Sequence, residues 1–91
     1  MASKRKLKKT INFVSDEVIL EIYVLSLFKE IKEEKLDELV DKTLEIRSEF
    51  IQRMNHVPAK ENSKIVRDYF KKLREDWANA IDGIAKDVEK L

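Results

Sequence analysis

The sequence holds no cysteine, one glycine, one proline and one histidine. Without cysteine there is neither a disulfide framework nor a thiolate zinc site. A single glycine excludes a glycine-rich phosphate loop, which needs several residues of unrestricted backbone. So few turn-formers also exclude a β-sandwich. What the chain has in quantity is charge, at 41% of residues, beside 43% hydrophobic residues. That mixture suits long amphipathic helices. At 91 residues it is expected to be a single helical domain, residues 1–91.

The formal net charge of +1 conceals an asymmetry. Lys4, Arg5, Lys6, Lys8 and Lys9 stand in the first ten residues with no acid among them, leaving 14 basic against 18 acidic residues elsewhere. The pattern is a basic N-terminal arm, residues 1–6 and just beyond, on a mildly acidic body. A basic start before the apolar run Val18–Phe28 raises the question of a leader peptide. Against it, Asp16 and Glu17 precede the run, Glu21 interrupts it, and Lys29, Glu30, Ile31 and Lys32 follow where small residues would be needed. The run is 11 residues long, well short of the ~20 that span a bilayer. The expectation is a cytoplasmic protein that does not enter membranes.

Apolar spacing predicts three helices. Leu7, Ile11, Val14, Val18, Ile22 and Leu25 follow each other at three- and four-residue steps, giving helix 1 at about 7–30. Ile19, Leu20, Tyr23, Val24, Leu27, Phe28 and Ile31 occupy its other faces. Helix 2, about 34–55, carries Leu36, Leu39, Val40, Thr43, Leu44, Phe50, Ile51 and Met54, with Arg47 standing in the stripe. Asn55–Asn62 reads as a loop around Pro58, and Asn62 or Ser63 as the cap of helix 3, about 62–90. That last helix has Val66, Phe70, Leu73, Trp77, Ala80, Ile84 and Val88 at helical steps. Gly83, inside it, reads as a place for close helix approach or a slight bend. The expected fold is all-α, a three-helix up-down-up bundle.

Helix 1 is apolar on more sides than two neighbours can cover, and a large wet apolar patch is unusual on a monomer. Self-association through helix 1 is therefore expected, a homodimer first, with Ile19, Tyr23, Val24, Leu27, Phe28 and Ile31 at the interface. Arg47 needs a partner if it is buried, and hairpin register points to Glu17 or Glu21. The other reading is that Arg47 reaches out to the edge of its stripe.

Helix 2 carries an acidic row, Glu34, Glu38, Asp41 and Glu45, and helix 3 a basic one, Lys64, Arg67, Lys71 and Arg74, preceded by Lys60. Three readings stand side by side, one of them self-recognition, with the basic arm lying on the acidic row of its own or a partner subunit. The rows face each other across the helix 2–helix 3 seam, as flanking charges do in coiled coils. Alternatively the basic row joins Lys4, Arg5, Lys6, Lys8 and Lys9 in a polyanion-binding face, which would make this a small nucleic-acid-associated protein. Tyr69, Phe70 and Trp77 lie on the apolar stripe rather than amid the positive charge, which favours core packing over base stacking. His56 is alone, and Arg53 stands where a Glu-x-x-His metal motif would need glutamate. No nucleophile–base spacing or nucleotide fingerprint is present. The expectation is a structural or interaction protein, not an enzyme, with no catalytic, cofactor or metal residues. Finally, the opening KRKLKKTIN and the later RSEFIQRMNH resemble a group of short helical proteins of Bacteroidetes-type bacteria whose function is unknown. That resemblance implies a small helical cytoplasmic protein and carries over no functional residue.

Overall fold

The computed structural model describes residues 4–91. It has three helices and, among these residues, no strand: α1 is Lys4–Phe28, α2 Glu33–Asn55 and α3 Ser63–Glu89. Each boundary has a local cause. α1 reaches further toward the N-terminus than the apolar spacing suggests and takes in Lys4, Arg5 and Lys6; the rest of the predicted arm lies outside the described residues. It stops at Phe28, where the apolar pattern gives way to Lys29–Lys32. Lys32 is extended and caps α2 without a side-chain bond, while Glu33 and Glu34 set negative charge at the helix's positive end. Asn62 caps α3: its side-chain oxygen accepts from the backbone N–H groups of Lys64, at 3.1 Å, and Ile65, at 3.3 Å. In the loop between, Ala59 alone takes a left-handed φ, of 47°.

α2 is the middle member. It packs extensively on both α1 and α3, which approach each other only thinly. Two buried clusters run along the molecule. One joins Ile11 of α1 to Phe50 and Met54 of α2 and to Leu73 and Trp77 of α3. The other joins Ile22, Leu39, Ile84 and Val88. Phe50 and Trp77 meet edge to face, ring centres 5.4 Å apart, and the Arg53 guanidinium lies 5.0 Å from the Phe50 ring centre. Ser15 and Thr43 are buried, and their hydroxyls donate to the carbonyls of Ile11 and Leu39 one turn back, at 2.7 and 2.8 Å. Tyr69 donates its hydroxyl to the Arg53 carbonyl at 2.8 Å, tying α3 to the last turns of α2.

Gly83 does not serve close approach: a Cβ built there meets nothing within 4 Å. Helical glycine then only costs backbone entropy. Gly83→Ala is expected to stabilise by about 1 kcal/mol, raising the melting temperature by roughly 4–8 °C. An unchanged or lower melting temperature in a thermal scan would defeat that account.

The charged rows do not face each other. Glu34, Glu38, Asp41 and Glu45 are all exposed, and so are Lys64, Arg67, Lys71 and Arg74. The acidic row sits roughly opposite the apolar stripe of α2 and points to water, whereas the basic row sits about a third of a turn from that of α3, turned away from the α2 seam. The seams are closed by residues of the opposite arrangement. α2 supplies the cation in three interhelix pairs: Lys42 to Asp87 at 3.1 Å, Arg53 to Asp76 at 3.0 Å, and Arg47 to Asp16 at 3.3 Å. Arg47 thus reaches Asp16 instead of Glu17 or Glu21. The pair is an edge contact rather than a buried one, since Asp16 is exposed. Its guanidinium extends out of the stripe, as the alternative reading had it.

These pairs carry a pH dependence. The hydrogen bond from Arg53 holds the Asp76 carboxyl below its ordinary 3.8, helped by Lys72, against a partial desolvation. The hydrogen bond and charge of Lys42 do the same for Asp87. A carboxyl whose pKa is lower folded than unfolded contributes stability above the unfolded value and loses it as pH falls through the folded one. Urea midpoints should therefore drop below about pH 4. Replacing Arg53 and Lys42 by glutamine should cost stability at pH 7 and cost less at pH 2–3. A penalty independent of pH would show that the pairs contribute only packing.

Candidate interaction surface and cationic cleft

Two surface features stand out, and they lie in different places. The first is the outward face of α1. Phe13, Glu17, Leu20, Val24 and Leu27 follow at steps of four, three, four and three, so they line one stripe, almost opposite the buried stripe of Ile11, Ser15 and Ile22. Phe13 is 66% exposed, Leu27 80% and Phe28 82%. Leu20, Tyr23 and Val24 are exposed beside them. A shallow groove runs along this helix, walled by Phe13, Val14, Leu20, Glu21, Val24 and Leu25. Of the interface residues expected from sequence, Tyr23, Val24, Leu27 and Phe28 are on the surface, while Ile19 and Ile31 are half-buried. Phe13 and Leu20 belong to the patch and were missing from that set. The seven-residue return from Phe13 to Leu20 to Leu27 was the signal available for them.

The second feature is a cleft of about 370 Å³ between the start of α1 and the start of α3. Leu7, Val66 and Phe70 form its floor. Lys4, Lys60, Arg67 and Arg74 stand around it, and no acid lines it. None of the four cations forms an ion pair among the described residues, in contrast to Lys42, Arg47 and Arg53. So three of the nine candidate polyanion ligands, Lys4, Arg67 and Arg74, come together, and Lys60 joins them. The others do not line this cleft: Lys8 borders a groove with Arg47 on the α2 side of α1, and Arg5, Lys6, Lys9, Lys64 and Lys71 are exposed elsewhere.

Among the described residues no group of three or more His, Asp or Glu side chains is placed to hold a metal ion. No helix among them is long and apolar enough to cross a membrane. Comparison of the chain with protein families, with curated proteins and with solved structures returned no match.

Proposed function

We propose that this is a protein-interaction module that self-associates through the outward face of α1, with its three helices threaded up-down-up. The threading reading is supported by the two core clusters. Early α1 shares a cluster with late α2 and early α3, and late α1 with early α2 and late α3. The observation that carries the self-association reading is the contiguous wet stripe Phe13, Leu20, Val24, Leu27 and Phe28. Each such side chain is worth roughly 1.5–3 kcal/mol when fully buried. A twofold contact would double the number covered, against an association cost on the order of 4–15 kcal/mol.

Charge favours an antiparallel pair. Parallel helices would set Lys9 beside Lys9 and Glu17 beside Glu17. An antiparallel pair centred near Leu20 would instead bring Lys9 towards the second copy's Glu30, Phe13 towards its Leu27, and Glu17 towards its Tyr23 hydroxyl. Light scattering on the eluting protein tests the reading: twice 10.8 kDa is expected at tens of micromolar, and a lasting 10.8 kDa species would refute it.

The second reading is a nucleic-acid-associated protein, supported by the exposed basic row of α3. It predicts binding to labelled DNA or RNA that weakens steeply with salt in fluorescence anisotropy. The scatter of the cations over several faces favours the first reading.

A further inference from the structure

We infer that the cleft between the starts of α1 and α3 is a binding site for a free long-chain carboxylate, an alkyl chain with one anionic head. The inference stands apart from self-association, since it uses a different face of α1 and a second helix. Its first support is an electrostatic imbalance. Lys4, Lys60, Arg67 and Arg74 surround one cleft without an acid, in a chain whose overall charge is +1. The cations that close the helix seams, by contrast, each have a carboxylate: Lys42 has Asp87, Arg53 has Asp76 and Arg47 has Asp16. Like charges held together repel, and a bound anion removes that repulsion. Arg67 and Arg74 are two helical turns apart, about 10 Å along α3, and their planar forks suit a carboxylate.

The floor decides what the anion is attached to. Leu7 and Val66 are aliphatic, and Phe70 is half-buried with its ring edge-on to Tyr69, centres 6.0 Å apart. An extended nucleic-acid strand gains most from open aromatic faces on which bases stack. An alkyl chain needs only an apolar trough. The volume of about 370 Å³ is at the small end of the range for small-molecule sites. A concave trough of that size takes one chain. A bilayer would instead be met by residues that project outward, and those, Leu27 and Phe28, are on another part of the molecule.

The test is titration of the full chain with sodium dodecanoate below its micelle concentration, at low salt and neutral pH. Calorimetry and amide NMR provide the readouts. One-to-one binding is expected, with shifts centred on Leu7, Val66 and Phe70. The double variant Arg67→Gln, Arg74→Gln should weaken binding roughly tenfold or more, as loss of charged hydrogen bonds implies. Lys64→Gln with Lys71→Gln, off the cleft, should change it less than about twofold. All four positions are exposed, and circular dichroism checks that the variants fold. Equal binding of dodecyltrimethylammonium, or shifts centred on Phe13 and Leu27, would reduce the effect to general greasiness and overturn the inference. So would binding indifferent to Arg67 and Arg74. Displacement of dodecanoate by short RNA, or binding only to anionic vesicles, would reassign the cleft to those partners.

Discussion

Trp77→Ala is expected to cost about 3–5 kcal/mol, the largest loss of any single substitution considered for this chain. Trp77 is nearly buried, belongs to the cluster with Ile11, Phe50, Met54 and Leu73, and meets Phe50 edge-on. Its removal opens a void between α2 and α3 and takes away the ring contact, itself worth about 0.5–1.5 kcal/mol. Domains of this length have roughly 5–14 kcal/mol in total. The substitution thus takes about a fifth of the stability or more, and urea unfolding should show a much lower midpoint with a similar slope. Trp77→Phe, which keeps a ring, should recover part of it. A loss under 1 kcal/mol in Trp77→Ala would mean that the α2–α3 seam is not where the fold is held.

Leu20→Glu should release the proposed dimer. The site is near the centre of the stripe Phe13–Leu27, so a twofold contact would bring two carboxylates close together in place of two leucines. Lost burial on both copies, with charge desolvation added, amounts to about 3 kcal/mol or more, a rise in the dissociation constant of at least ~100-fold. Leu20 is exposed in the monomer, so helicity and thermal stability of the separated chain should hold. Light scattering reports the mass, and Asn79→Glu, at an exposed position, serves as a charge-matched control on α3. A variant that keeps the wild-type mass would place the contact elsewhere. The antiparallel arrangement has its own check. Leu20→Cys should crosslink to itself readily, and Lys9→Glu should weaken association while Lys9→Glu with Glu30→Lys restores it. A parallel pair would set every position beside its own copy, so Phe13→Cys crosslinking to itself as readily as Leu20→Cys would keep the dimer and discard the antiparallel direction.

Helix positions were legible because apolar spacing is a local property. Leu73, Trp77, Ile84 and Val88 can be read off α3 with no knowledge of their neighbours, and all are buried. The Asn62 cap was legible for the same reason. What escaped was angular. Whether Arg67 flanks the seam or points to water depends on where the centre of the stripe falls, and a small rotation decides it. The same uncertainty put Glu17 or Glu21 where Asp16 pairs with Arg47. Lys60 could not be joined to Lys4 from sequence, because 56 positions separate them and only the packing of α1 and α3 on α2 brings them to one cleft. Gly83 showed that a glycine in a helix is ambiguous until its surroundings are known.

The chain measures 52 × 17 × 17 Å, and its radius of gyration of 15.3 Å exceeds the roughly 12 Å of a compact chain of equal length. So slender a particle drags more solvent than a ball of equal mass and leaves a sieving column early. Elution volume would therefore overstate the mass of one copy, and a calibration against round standards would report a pair where a single rod had passed. Sedimentation velocity, which returns a frictional ratio with the mass, should show this asymmetry directly. Two rods laid side by side should lower that ratio, whereas two joined end to end should raise it.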